Sequence, residues 1–273
     1  MTEKPTLLQE KTARLNEIID SMQSVAIAFS GGTDSALLAA AAFRRLQDKS
    51  VALTAYSATL AMEEQEDAAR IAGIIGIRHV MLPADEMAEE GFRQNGPDRC
   101  FHCKKLRFGV LADWTAQNQI PWIIEGSNAD DVGDYRPGMK AIEAMPNVRS
   151  PLLEAGFTKA EIRALSKEWS LPTWDKPSAA CLASRVVYGQ QISAANLGQV
   201  EQAERVVRLF VSGQVRVRHH GMVARIEVEP SQMSKLIDPA NAAIINKELK
   251  SFGFSFVTLD LSGYRMGSLN EAL

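Results

Sequence analysis

The chain has 273 residues, is 46% hydrophobic and carries a formal net charge of −3, with a pI near 5.9. That length accommodates one large or two modest domains with true cores, and no apolar run approaches a membrane span. No basic-then-apolar leader opens the chain, and its acidic balance supplies no global field toward nucleic acid, so a cytoplasmic protein that engages neither membrane nor nucleic acid is expected.

Residues 5 to 22 read as a leading amphipathic helix, with Leu7, Leu8, Leu15, Ile18 and Ile19 near helical spacing. Val25-Ala26-Ile27-Ala28-Phe29 follows as a short buried strand, then Ser30-Gly31-Gly32-Thr33-Asp34-Ser35, then a strong helix former from Ala36 to Arg45. Strand, glycine loop and helix in that order present backbone N–H groups and the positive end of a helix dipole to a phosphate. Gly31 and Gly32 permit the turn and a close approach, Ser30, Thr33 and Ser35 add hydroxyls, and Asp34 is placed to orient a magnesium ion or the loop itself. The Gly-Lys-Ser/Thr ending of a Walker A loop is missing from the sequence.

Val51 to Tyr56 is a second strand, Met62 to Ile75 a helix ended near Gly76, His79 to Leu82 a third strand and Leu106 to Gln117 another helix. Trp122-Ile123-Ile124-Glu125-Gly126 makes a fourth strand. Alternating strands and helices predict an α/β fold, a doubly wound parallel sheet whose ligand site lies outside the carboxyl ends of its strands. The loops after Phe29, Tyr56 and Glu125 then share a rim, which brings Ser57 and Gly126 into the set of nucleotide-binding candidates. After about residue 190 the pattern changes. A helix from Ala195 to Phe210, strands Gln214–Val217 and Met222–Val228 around His219-His220-Gly221, a helix Gln232–Phe252 and a strand Phe254–Leu261 predict a smaller α+β domain. The expected division is 1–189 for an ATP-binding domain and 190–273 for a substrate and oligomerisation domain.

Three cysteines, an odd number, point to a metal or a reactive thiol rather than a disulfide framework. Cys100-Phe101-His102-Cys103 is a C-x-x-C flanked by Arg99, Lys104 and Lys105, and Cys181 stands alone. These thiols suit a [4Fe–4S] cluster with one open iron, a zinc site completed by His102 or water, or a redox dithiol with Cys181 apart. Asp130, Asp131 and Asp134 fall in one short loop near that rim, with Asp131 and Asp134 the magnesium candidates. Arg216 and Arg218 alternate along a strand and share a face, a geometry that suits a phosphate between two guanidiniums. His219 and His220 are expected to face solvent at the hairpin turn, and His79 to be a satisfied core histidine.

The loop Ser30–Ser35 resembles the pyrophosphate loop of the PP-loop ATPases. Together with Arg99–Lys105, Asp134-Tyr135-Arg136-Pro137-Gly138, Ser184-Arg185, Arg216-Val217-Arg218 and Thr258-Leu259-Asp260-Leu261, it makes the chain similar to the LarE family end to end. These are sulfur transferases of nickel-pincer nucleotide synthesis. The resemblance implies that Mg-ATP adenylates a carboxylate of pyridinium-3,5-biscarboxylic acid mononucleotide and that sulfur then displaces AMP. It further implies Asp34, Cys181, Ser184 and Arg185 at the reacting centre and a homo-oligomer. One version of the family sacrifices a cysteine that falls at Ala180 here, and the other carries three cysteines and a [4Fe–4S] cluster. Cys100, Cys103 and Cys181 match the second, with sacrificial use of Cys181 and a cluster-dependent tRNA thiolase as the alternatives.

Overall fold

A computed structural model of the chain describes residues 6–132, 137–177 and 180–269. In chain order the elements are α1 (Leu7–Asp20), β1 (Val25–Ala28), α2 (Thr33–Leu46), β2 (Ser50–Tyr56), α3 (Met62–Ile75), β3 (Arg78–Pro83), α4 (Glu90–Arg93) and α5 (Arg99–Gln117). They continue as β4 (Trp122–Ile124), α6 (Pro137–Glu143), β5 (Val148–Arg149), α7 (Pro151–Glu154), α8 (Lys159–Glu168) and α9 (Ala194–Val207). The last are β6 (Val215–His220), β7 (Val223–Val228), α10 (Met233–Ile237), α11 (Pro239–Ser251) and β8 (Phe256–Leu259). The chain forms two compact units, one of Met1–Ser57, Met62–Asp85 and Cys100–Ala179, the other of Ala58–Ala61, Glu86–Arg99 and Ala180–Leu273.

The first unit is built on a five-stranded sheet of order β3-β2-β1-β4-β5, parallel throughout. Its central strands are apolar on both faces, as a sheet covered by helices on both sides requires. The alanine run of α2 is buried from Ala36 to Ala42, because small side chains let the helix lie close against β1 and its neighbours. Phe108, Leu111 and Ile142 belong to the cluster that covers the other face. Strand order reverses between β1 and β4, and that switch point is where a doubly wound sheet opens a ligand crevice.

In the second unit β6 and β7 form an antiparallel hairpin turning at Gly221 (φ +66°), and β8 adds parallel to β7. Val215 and Val217 face a core shared with Ala203 and Val207 of α9 and Leu249 of α11. The single helix expected over 232–252 is two, because Pro239 cannot continue α10 and the Asp238 carboxylate caps the N–H groups of Ala240 and Asn241. The expectation of solvent-facing histidines also fails at His219. The strand runs on through His220, and His219 is buried between Gln190 and Gln199, 2.7 and 2.8 Å from its ring nitrogens.

Candidate functional site

Ser30 to Ser35 join β1 to α2 at the switch point. The Ser35 hydroxyl accepts from Ser30 N–H at 3.3 Å and donates to the Gly32 carbonyl at 3.2 Å, which closes the turn on itself. Gly31 has φ +68°, and a Cβ there would stand 2.9 Å from the Ala68 backbone. Gly32 caps α2 without a side-chain hydrogen bond, leaving that cap role to whatever anion meets the first turn. The Thr33 hydroxyl donates to the Thr173 carbonyl at 2.9 Å, and Lys176 Nζ donates to the Gly31 carbonyl at 3.1 Å and to Asp67 at 3.0 Å. Burial works to raise the Asp67 pKa, but hydrogen bonds from Arg70 and Lys176 outweigh it and hold the carboxyl below its ordinary value.

The loop after β4 closes the other side. A Cβ on Gly126 would stand 3.0 Å from Asp34 Cβ and 3.2 Å from Ser35 N, so this backbone passes against the first turn of α2. Glu125 is buried, accepts from Ser127 N–H and both the Ser127 and Ser150 hydroxyls, and has Lys104 Nζ at 3.4 Å. Asp34 pairs with Lys159 through Oδ2, while its buried Oδ1 has no hydrogen-bond partner among the described residues. Asp130 accepts the Lys159 N–H at 2.7 Å, and Asp131 accepts the Asn128 N–H at 3.0 Å in a capping box. Asp134 lies outside the described residues. Ser57, at the end of β2, has Arg107 Nη2 3.5 Å from its hydroxyl.

None of the three cysteines is in a disulfide. Cys100 is exposed and Cys103 half-buried in the opening turns of α5, which starts at Arg99 rather than at the expected Leu106. Their spacing of three puts them on one helix face. Cys181 is half-buried and caps a short 3₁₀ turn, Leu182–Arg185, its carbonyl accepting from Ser184 Oγ at 2.7 Å and Arg185 Nη1 at 3.0 Å. Among the described residues no three His, Cys, Asp or Glu side chains gather as a metal site.

In the second unit Ser184, Arg185, Arg216 and Arg218 all lie in one buried charge network. Arg185 pairs with Glu204, which also accepts Val217 N–H at 3.1 Å and Arg208 at 2.9 Å. Burial acts to raise the Glu204 pKa, yet the Arg185 and Arg208 guanidiniums pull it below the ordinary value. Arg218 makes two bonds to Glu227 Oε2, at 2.9 and 2.7 Å, and a third to the Ser184 carbonyl at 3.1 Å. Arg216 differs: it is buried, donates to the Val215 carbonyl at 2.8 Å and lies over the Tyr264 ring. Desolvation, then the neighbouring Arg185, pushes its pKa down. Among the described residues no carboxylate forms an ion pair with Arg216, although the Glu204 charge acts on it from nearby.

Lys159, Lys176, Glu204 and Glu227 carry no motif that marks them in the sequence, while Lys104 is marked there only as a flank of the cysteine pair. Glu125 is marked by its place at the end of a strand beside Gly126.

No protein-family model matches the chain. It is 38% identical over 267 residues to an uncharacterized protein of Synechocystis sp., covering 98% of this chain and 99% of the relative. It is 34% identical to the pyridinium-3,5-bisthiocarboxylic acid mononucleotide synthase of Lactiplantibacillus plantarum, covering 97% and 96%. A weaker likeness, 23% identity over 57% of this chain and 53% of the relative, is to the tRNA-specific 2-thiouridylase MnmA of Desulforamulus reducens.

Proposed function

The chain belongs to the LarE family of sulfur-transferring synthases, and from that membership we propose an ATP-dependent sulfurtransferase acting on pyridinium-3,5-biscarboxylic acid mononucleotide. A carboxylate is a poor electrophile. Attack of its oxygen on the α-phosphorus of ATP makes an acyl adenylate and releases pyrophosphate, and a sulfur nucleophile then displaces AMP to leave a thiocarboxylate. The second carboxylate passes through the same steps. N–H groups between Gly31 and Ser35 meet the phosphates, with Ser30 beside them, and stabilisation of charge on the leaving pyrophosphate is the main catalytic term. Arg216 and Arg218 hold the phosphate of the mononucleotide, with Ser184 and Arg185 lining the reacting centre. Ser57 and Gly126 border the nucleotide, and the protein acts as a cytoplasmic homo-oligomer.

The unpartnered, buried Asp34 Oδ1 fits the magnesium that accompanies ATP. Asp131 already uses one oxygen on Asn128 and is the weaker magnesium partner, with Asp134 the other proposed one. Three cysteines outside any disulfide are the right donor chemistry for a [4Fe–4S] cluster, which when bound would supply the sulfide. The described residues do not gather three donors, and the adenylation chemistry above stands without the cluster.

The observation that carries this reading is a Ser-Gly-Gly-Thr-Asp-Ser loop at the strand-order reversal of a chain so similar to a bisthiocarboxylate synthase. Pyrophosphate release and product mass, followed with ATP, magnesium and the biscarboxylate, test it. Release that depends on the biscarboxylate, with stepwise replacement of oxygen by sulfur, is expected; an Asp34→Ala chain forming pyrophosphate at the wild-type rate sinks the loop assignment. Release stimulated by tRNA instead would redirect the reading to a tRNA thiolase. Protein purified without oxygen should carry about four irons per chain. Zinc, or no metal, would return Cys181 to the role of sacrificial donor, visible as loss of one sulfur from the chain mass.

A further inference from the structure

The stretch that follows β8 has no part in the chemistry described so far, yet it packs on the strand face that carries Arg216 and Arg218. It is tied down at three places. Asp260 donates its N–H to the Ile226 carbonyl at 2.9 Å and accepts the Ser262 N–H at 2.8 Å, which keeps the turn against β7. The Tyr264 N–H donates to the Val228 carbonyl at 2.8 Å, and this close passage needs Gly263, where a Cβ would stand 2.8 Å from that same oxygen. Ser268 is buried, donating to Glu227 at 2.9 Å and accepting from Arg218 at 3.0 Å.

The result is a half-buried aromatic ring on a fixed backbone, with a cation on its face. The guanidinium carbon of Arg216 lies 5.2 Å from the centre of the Tyr264 ring. An aromatic face attracts a cation, and more strongly where water is kept away. Among the described residues the guanidinium has only the Val215 carbonyl as a hydrogen-bond acceptor, and Arg185 is its like-charged neighbour. A phosphate offers full charge and several acceptor oxygens, so a guanidinium that meets one leaves the ring for it. The ring face is then open to a second cation, and a pyridinium mononucleotide carries one on the same molecule as its phosphate.

We propose that Tyr264 recognises the pyridinium ring of the mononucleotide through a cation–π contact and so selects a cationic ring over an uncharged one, with Arg216 occupying that face until the phosphate draws it away. The proposal deepens the reading above and rests on it. The charged nitrogen sits at the bond to ribose, so one sugar separates it from the phosphate, while Tyr264 and Arg216 stand side by side in one unit. The two carboxylates lie at the ring edge and leave the electron-poor face to the tyrosine. The contact holds through both rounds of sulfur transfer, because neither changes the ring nitrogen.

Calorimetric titration of the wild-type chain, Tyr264→Phe and Tyr264→Leu tests this with three ligands. They are the biscarboxylate mononucleotide, the same nucleotide reduced to its uncharged dihydropyridine, and ribose phosphate, which has no ring. We expect wild type and Tyr264→Phe to prefer the cationic ring over the reduced one by about five- to tenfold. Tyr264→Leu should lose that preference while binding ribose phosphate within about twofold of wild type. A preference that survives in Tyr264→Leu, that is lost in Tyr264→Phe or that wild type lacks would overturn the proposal alone. So would an equal loss of all three ligands in Tyr264→Leu, which would make the ring a prop for Arg216. Wild-type protein that binds none of the three overturns the mononucleotide reading and this proposal with it.

Discussion

Arg185 and Glu204 meet fork to fork, with Nε 2.8 Å from Oε1 and Nη2 3.3 Å from Oε2, and their side chains are 4% and 2% exposed. Nineteen positions separate them, and the pair links the turn after Cys181 to α9. Removing one charge of such a pair leaves the other buried and unpaired, which costs about 3–5 kcal/mol. Glu204→Gln keeps the shape and loses the charge, so a loss of that size is expected in urea denaturation. A midpoint within error of wild type would show that water, not Glu204, compensates Arg185.

Arg216 and Arg218 are neighbours on one strand face with opposite expected consequences. Arg218 makes two hydrogen bonds to the fully buried Glu227, which keeps Arg225 at 2.7 Å and the Ser268 hydroxyl at 2.9 Å, so Arg218→Met should destabilise by about 1.5–3 kcal/mol, the loss of charge-assisted bonds rather than of the whole pairing. Arg216 has no carboxylate of its own in the network and feels Arg185 as a like charge. Arg216→Met should therefore leave stability unchanged or raise it by roughly 1–2 kcal/mol, while weakening the mononucleotide through its phosphate. Thermal melts and substrate titration of both variants check the sign; equal destabilisation would mean that Arg216 is a structural cation.

Acid should weaken the fold in two stages. His79, His219 and His220 all have pKa values below the ordinary 6.5, for each of them chiefly because burial disfavours the charged ring. The unfolded chain then binds more protons than the folded one as pH drops, so stability is full above about 6.5 and falls below it. Glu204, held below its ordinary 4.5, contributes stability above that value and loses it as pH falls further. Denaturation midpoints between pH 7.5 and 4 should show the first decline above about pH 5 and a second below 4.5. His219→Gln should flatten the first, and a pH-independent midpoint would contradict both assignments.

Much of the first unit was readable because its signals are local. Met62 to Ile75 has the bounds its periodicity predicts, and Ser30–Ser35 sits where strand, glycines and helix former place it. The start of α5 was missed because Arg99 to Lys105 carries cysteines and bases rather than an apolar stripe. The helix α8 was overlooked although Thr158 and Glu161 spell a capping box, and the break at Asp238-Pro239 was likewise present as a local signal. The burial of Arg218 could not be read from its own strand, since the carboxylate that compensates it, Glu227, comes from the neighbouring strand β7. Lys159 could not be read at all. It lies 125 positions from Asp34, and only the parallel sheet brings the two together.

The two glycines that border the phosphate loop should separate conformation from contact. Gly31 at φ +68° faces Ala68 Cα at 2.9 Å from where its Cβ would be, so Gly31→Ala meets both a left-handed backbone and a backbone clash. The first alone costs about 1–2 kcal/mol, and relief by moving the loop would misalign the N–H groups that meet phosphate. Gly126 lacks the positive φ. Its added Cβ would press on Asp34 Cβ at 3.0 Å and on Ser35 N at 3.2 Å, the face proposed above for the nucleotide. Gly126→Ala should therefore cost less stability than Gly31→Ala, about 1–3 kcal/mol, yet lower pyrophosphate affinity by roughly tenfold because it displaces the first turn of α2. Melting temperatures set beside pyrophosphate titrations decide it. If Gly126→Ala binds pyrophosphate like wild type, the loop after β4 borders the phosphates without shaping their site.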